Sequence, residues 1–550
     1  EMKIDKTAIA ESKAFKFVKK YWLIIVIAIA AVIVALSSVN IYREEVLEID
    51  PDVTYTRQDT LYFASEPIDT LNPIVSVSED TYYLSKLIYN SLFDYTDDLN
   101  VAGELAESFE VNTEKAYVDI TLRNGVKWHD GGDLTASDVR FTVNAIKSAG
   151  SKSLYYDSVS KIHSVTVSGD RELRIYFRNN YNCSLDDLIF PILPENRYNS
   201  VRALLNDKED FEPEGTGPYM FSDYDPLTKL QLKPFEDYFG GAAPNSITVN
   251  IFPDRSLTSN MMEIGSVTCY TDKSSERKSL VADKGYEMYD LVSNEVDFVV
   301  FNTNDKILKS KKIRQAICYA INRDEILDNG YMGDAVLTDT IYYPNFDGVD
   351  DTGQAYAFDR EKAAEIMAEE GYEDSDTDGR LEDGSGEEIS LTILVNKSNA
   401  TRLAAARIIE DDLEHAGFSA TIESVSWDEY TDRIEKRDFD ILLTGYEIEA
   451  SYDLREFFDG KNPWKYRNNE ILEKVRELDR LHTPQEYTAA YEQIKELLLD
   501  EVPYYALCYK KMGLIGVETF EAQSLPMFND IYKNCSTWSW SVADDKNTQD

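Results

Sequence analysis

Residues Tyr117 to Phe141 read YVDITLRNGVKWHDGGDLTASDVRF. Val118, Ile120 and Leu122 alternate with Asp119, Thr121 and Arg123, the two-residue period of a half-buried strand. Asn124-Gly125 supplies a turn, because glycine reaches positive φ without steric cost. Val126-Lys127-Trp128 then reads as a returning partner strand, and His129-Asp130-Gly131-Gly132 as a second turn. Thr135 or Ser137 can cap a helix beginning near Asp138. An unrelated hairpin followed by a helix would satisfy the same letters, so the flanking chain has to decide.

Upstream, LYFASEPIDTLNPIVSVSEDTYYLSKLIYNSLFDYTDDLNVAGELAESFEV opens with a strand. It passes an Asn-Pro turn and a helix and reaches Leu105-Ala106-Glu107-Ser108. Downstream stands Gly215-Thr216-Gly217-Pro218-Tyr219. Phe301-Asn302-Thr303 precedes IRQAI at Ile313–Ile317 and AINR at Ala320–Arg323. FDREKAAEIMAEEGY, Phe358 to Tyr372, is a helix ending at a glycine. In this order, from about Leu61 to near Tyr509, the segments resemble the family 5 extracellular solute-binding proteins. These are the oligopeptide- and dipeptide-binding receptors of ABC transporters. One such motif is weak, but an ordered set is fairly strong.

The resemblance implies a two-lobed, periplasmic-binding-protein-like clamshell of mixed α/β (α+β) content with an extra inserted domain. Domain I would take about 57–90, 215–297 and 503–550, domain II 91–214, and domain III 298–502. Periodicity independently places strands at Leu173–Phe177, Ile247–Phe252, Asp297–Asn302, Leu391–Asn396 and Phe439–Tyr446. It places helices at Lys311–Ile321, Arg360–Glu370, Thr401–Ala416 and Asn469–Leu478, and another from near Gln485 through Leu499.

Composition narrows the function classes. A chain of 550 residues exceeds one simple core. Hydrophobic content of 43% argues for folded structure rather than disorder. A net charge of −45 repels phosphate backbones, so no nucleic-acid partner is expected. The five cysteines, at 183, 269, 318, 508 and 535, form no Cys-x-x-Cys pair and suggest no zinc site. Cys318 and Cys508 read as buried, inert thiols. His129, His163, His415 and His482 have no second histidine at ligand spacing. No Gly-x-Ser-x-Gly elbow, Walker loop or His-Glu-x-x-His is present. With no catalytic constellation present, the resemblance implies an extracytoplasmic receptor, not an enzyme. It would capture a small solute, a peptide before other classes, for an ABC importer whose permease and ATPase subunits supply the transport energy. A sensory or scaffold receptor without transport, and a secreted hydrolase, are the alternatives.

Tyr21 to Val39, YWLIIVIAIAAVIVALSSV, contains no charge. Its 19 residues at ~1.5 Å each span ~28 Å, close to the ~30 Å hydrocarbon core of a bilayer. Lys13, Lys16, Lys19 and Lys20 precede it, and Glu44, Glu45, Glu48 and Asp50 follow. The positive-inside rule puts 1–20 in the cytoplasm and the large domain outside. The reading is one N-terminal transmembrane anchor over 21–42 with a tether over 43–56. A cleaved signal peptide is the competing reading. Many relatives are anchored through a lipidated cysteine, whereas the first cysteine here is Cys183.

In the peptide-binding relatives an acid after a Gly-Trp pair holds the ligand's amino end. The matching stretch is Gly445-Tyr446-Glu447-Ile448-Glu449-Ala450-Ser451-Tyr452-Asp453, with Tyr446 in place of tryptophan. Glu447, Glu449 and Asp453 are the candidate anchors, and Tyr446, Tyr452, Tyr82, Tyr83 and Asn302 are further cleft candidates. Separately, Asp374, Asp376 and Asp378 alternate ahead of Gly379 like the first half of a calcium loop, with Glu382 at the ninth position. Ser385 stands at the twelfth, where a bidentate Glu is required. A metal-free acidic turn is the other reading. A structural calcium is the sole cofactor candidate.

Overall fold

The computed structural model describes residues 55–543 except 98, 179–183, 199, 207–210, 345, 347–348, 350, 352, 450–453, 479–480 and 482–483. The anchor read over 21–42, residues 1–20 and most of the tether lie outside the described residues, as do Cys183, Tyr452 and Asp453. Among the described residues no helix is long and apolar enough to cross a membrane.

Tyr117–Leu122 is a strand, with Val118, Ile120 and Leu122 buried. The expected partner strand Val126–Trp128 does not form against it. Ala106–Asn112 pairs with one edge of Tyr117–Leu122 and Glu172–Phe177 with the other, so no edge is left. Val126–Trp128 instead closes a small hairpin of its own. Trp128 N donates to Gly132 O at 2.8 Å, and Leu134 N to Val126 O at 3.1 Å. The following helix, Ala136–Ala149, starts two residues before the expected Asp138. Thr135 stands at its N-cap, and the Thr135 N–H donates to Asp138 Oδ2 at 2.8 Å.

Three separated motifs meet at one junction. His129 N donates to Gly215 O at 3.0 Å, and Gly215 N donates to His129 Nδ1 at 3.3 Å. His129 Nε2 lies 3.0 Å from Gly217 O. Gly217 N reaches Ile88 O at 2.8 Å, at the end of helix Glu79–Ile88. A Cβ on Gly215 would overlap the Ile88 carbonyl oxygen, and one on Gly217 would lie 2.6 Å from the Ile88 carbonyl carbon. Glycine is required at both because backbone packs on backbone.

Among the described residues there are one seven-stranded sheet, two four-stranded sheets and three two-stranded ribbons. In order across, the seven-stranded sheet runs Cys269–Asp272, Tyr504–Gly516, Glu287–Phe301, Ile441–Glu447, Ser390–Asn396 and Ser419–Val425. Ala335–Leu337 pairs off Tyr504–Gly516. Phe298, Val300, Leu394 and Leu442 join one core, and Val299, Phe301, Ile393, Ile441 and Leu443 join another. Burial of both faces explains why these strands read as near-continuous apolar runs. The expected helices form as Lys311–Ala320, Arg360–Glu369, Ala400–His415, Asn469–Leu478 and Pro484–Glu501. Cys318 and Cys508 are buried, and burial pushes both thiols up.

Candidate functional site

Ser390–Asn396 runs parallel to Ser419–Val425 and to Ile441–Glu447. The carboxyl ends of the three strands therefore share one edge, the position where open α/β sheets take ligands. Two helices begin there. Asn399 caps Ala400–His415 by accepting Arg402 N at 2.9 Å, and Ser426 caps Trp427–Lys436 by accepting Glu429 N at 3.4 Å. Helix N-termini favour negative ligand groups. Trp427 is 58% exposed and stacks on Tyr430 with ring centroids 5.7 Å apart. The sequence reading missed this indole. An aromatic immediately after a capping serine, between a strand and a helix, was the available signal.

Glu447 and Glu449 are exposed at the same edge, on either side of buried Ile448. Tyr446 is half-buried, its ring 4.9 Å from Phe457 and its hydroxyl 2.9 Å from Glu456 Oε2. Asn302 lies toward the other end of the sheet. Its Nδ2 donates to Phe439 O at 2.9 Å and Arg437 O at 3.4 Å, and its Oδ1 accepts Asn304 N at 3.2 Å. Those bonds occupy its amide in holding a turn.

Tyr82 and Tyr83 sit on helix Glu79–Ile88. Tyr82 packs edge-on against Tyr83 at 5.3 Å, and Lys86 Nζ lies 5.2 Å from its ring centroid. The Tyr83 hydroxyl donates to Phe528 O at 3.2 Å. Phe528 packs 5.2 Å from Tyr343, whose hydroxyl donates to Val292 O at 3.0 Å. An aromatic chain thus runs from helix Glu79–Ile88 to the long strand Glu287–Phe301, near where that strand meets the Glu447 edge.

Beneath the edge lies a charged hub. Asp297 is fully buried. Its Oδ1 accepts Arg402 Nε at 2.9 Å and Nη2 at 2.7 Å, and its Oδ2 accepts the Tyr331 hydroxyl at 2.7 Å. Lys510 Nζ lies 3.0 Å from Glu295 Oε2 and 3.7 Å from Asp297 Oδ2. A Cβ on Gly445 would overlap both the Arg402 guanidinium and the Asp297 carboxylate. Gly445 is therefore the place where the ion pair crosses its strand.

Asp374, Asp376, Asp378 and Glu382 bring carboxylate oxygens within 4.8 Å of one another, and they are the residues that could hold a cation. Asp374 accepts Asp378 N at 3.1 Å and Gly379 N at 3.0 Å, and Glu382 accepts Ser375 N at 2.8 Å. A surface cavity of about 390 Å³ is elsewhere, lined by Asp94, Glu104, Arg123, Tyr238 and Lys533 among others. Burial, with the Asp94 charge nearby, pushes the Glu104 carboxyl up to about 8. None of the carboxyl-edge residues lines this cavity. Burial pulls the His129 imidazole down to about 4. Both its ring nitrogens are engaged by backbone, which requires the neutral Nε2–H tautomer.

The model of the bacterial extracellular solute-binding proteins, family 5 Middle, matches residues 100–462, more than half of the chain. The oligopeptide-binding protein AppA of Bacillus subtilis (strain 168) is 25% identical over 487 residues, spanning 85% of this chain and 89% of that protein. The dipeptide-binding protein of Escherichia coli (strain K12) is 26% identical over 414 residues, spanning 70% and 76%. The crystal structure of the nickel ABC transporter from Bacillus halodurans superposes with a TM-score of 0.73 at 19% identity, covering 88% of this chain and 100% of that one. At that identity the likeness speaks for the fold alone, a mixed α/β fold of the periplasmic-binding type.

Proposed function

The chain belongs to the bacterial extracellular solute-binding proteins of family 5, and from that premise we propose that it captures a peptide at the carboxyl edge. It is a solute-binding receptor of an ABC importer and works outside the cytoplasm. The observation that carries the peptide reading is the make-up of the edge. Exposed Glu447 and Glu449 share it with two helix N-termini and the exposed Trp427. An extended peptide offers an ammonium to the acids, and a carboxylate and carbonyls to the helix N-termini. The oligopeptide- and dipeptide-binding relatives point the same way. Glu447 and Glu449 would pair with the ammonium, while Tyr446, Tyr82 and Tyr83 would line the walls.

The two-lobe division, with domain I at 57–90, 215–297 and 503–550, domain II at 91–214 and domain III at 298–502, belongs to the same reading. It is supported by the sheet of Ala106–Asn112, Tyr117–Leu122, Glu172–Phe177 and Ile162–Val167, which lies wholly within 91–214. The charge-free run after four lysines supports a single-pass anchor over 21–42. A permease and an ATPase would complete the importer. The gathered carboxylates of Asp374, Asp376, Asp378 and Glu382 support a structural calcium.

Native mass spectrometry of the full chain, purified in mild detergent, tests the peptide reading. Adducts that fragment as peptides are expected. A chain carrying only non-peptide adducts contradicts the substrate class.

A further inference from the structure

We infer that Asn294 is a positioning residue that ties the acid-bearing segment Glu447–Glu449 to the point where two long strands cross between the lobes; this rests on the receptor reading above. Glu287–Phe301 and Tyr504–Gly516 are antiparallel partners along most of their length. Their register breaks twice, between Asp297 and Phe298 and, nearer the middle, between Val292 and Val296. Val292 pairs with Lys511 and Val296 with Tyr509, so Ser293, Asn294 and Glu295 stand opposite Lys510 alone. Such a bulge bends a strand and frees its backbone from the ladder. Among the described pairings, these are the two strands that run from the Cys269–Asp272 side of the sheet to the Ile441–Glu447 side.

On its other edge Glu287–Phe301 pairs with Ile441–Glu447 as far as Glu295 opposite Glu447. The next rung would be Asn294 opposite Ile448, and it is made in an altered way. Ile448 N donates to Asn294 O at 2.9 Å, as a ladder bond would. The return bond comes from the side chain: Asn294 Nδ2 donates to Ile448 O at 3.0 Å. The carboxamide thus stands in for a backbone N–H, as short polar side chains can. Ile448 is 2% exposed, so its N–H and C=O both need partners, and Asn294 supplies both. Asn294 Oδ1 also accepts Lys273 Nζ at 2.9 Å, just past strand Cys269–Asp272.

One side chain therefore holds Lys273, which like Asn294 falls in domain I, occupies the bulge, and fixes the residue between the two exposed acids. Bending at the bulge moves the acids with it. Aspartate is the discriminating substitution. Asn294→Asp keeps an oxygen for Lys273 but sets a carboxylate against the Ile448 carbonyl. Lys273→Ala cuts the other link and leaves the Ile448 clamp intact.

Amide hydrogen exchange on the full chain reads this without any ligand. Asn294→Asp is expected to speed exchange at Ile448 at least tenfold, with the strand Ser390–Asn396 unchanged and Lys273→Ala at wild-type rate for Ile448. An equimolar mixture of synthetic tri-, penta- and nonapeptides is then the binding probe, and the Asn294→Asp chain should retain at least tenfold less than wild type. Ile448 exchange within twofold of wild type in Asn294→Asp, or equal acceleration in Ser390–Asn396, overturns the positioning role. Unchanged peptide retention in the variant overturns it too. Failure of the wild-type chain to retain any peptide overturns the peptide reading instead, and the exchange result still decides the clamp.

Discussion

The Gly215–Gly217 junction and the Asp297 hub both press a glycine against a polar partner, yet one is neutral and the other charged. At the junction an uncharged His129 exchanges hydrogen bonds with the backbone of Gly215 and Gly217. At the hub a buried carboxylate takes two bonds from a guanidinium and one from a phenol. The first needs a proton kept off a ring. The second needs a counter-charge kept in place, since an uncompensated buried charge is costly. The junction joins Ile88, His129 and Gly215–Gly217, whereas the hub lies against Gly445, two residues before the exposed Glu447.

The sharpest way to break the contrast is Asp297→Ala. It leaves Arg402, 15% exposed at its side chain, without a partner and is expected to cost about 3–5 kcal/mol in urea denaturation. A loss under about 1 kcal/mol would mean that the hub carries no special weight.

Acid should strike the junction next. The folded-state value of about 4 for His129 lies below the ordinary 6.5. Its contribution is therefore full above pH 6.5 and is lost as the pH falls toward 4. The shift amounts to about 3 kcal/mol. His129→Gln should erase that part of the pH dependence, and parallel wild-type and variant curves between pH 6.5 and 4 would contradict a neutral junction.

The two glycines separate next. Gly217→Ala meets backbone that cannot shift and should cost about 2–3 kcal/mol, whereas Gly445→Ala meets side-chain ends and should cost about 1–2 kcal/mol. Thermal melts of the pair would show whether that order holds. The smallest expected effect is at the cluster of Asp374, Asp376, Asp378 and Glu382. Millimolar calcium should raise stability by about 1 kcal/mol, and Asp376→Ala should remove the gain; an equal rise in both chains would point to a nonspecific salt effect.

The same contrast marks what could be read from letters. The parts of the junction were legible as short local turn motifs, His129-Asp130-Gly131-Gly132 and Gly215-Thr216-Gly217-Pro218-Tyr219. Their mutual contact was not. Helices and buried strands showed through their periodicity, although Val126–Trp128 was misread because an adjacent segment says nothing about which sheet edges are taken. The hub was invisible. Asp297, Tyr331, Arg402 and Lys510 are scattered along the chain, and each looks like an ordinary surface charge or aromatic. Asn302 drew notice by its place after a strand, yet its amide holds a turn. Asn294, in a polar break within a strand, drew none.

The most direct measurement is a crystal structure of the chain carrying its co-purified ligand. The account predicts density for an extended peptide at the carboxyl edge, with its amino end at Glu447 or Glu449 and Trp427 alongside. Ligand density confined to the cavity beside Glu104, with that edge empty, would contradict it.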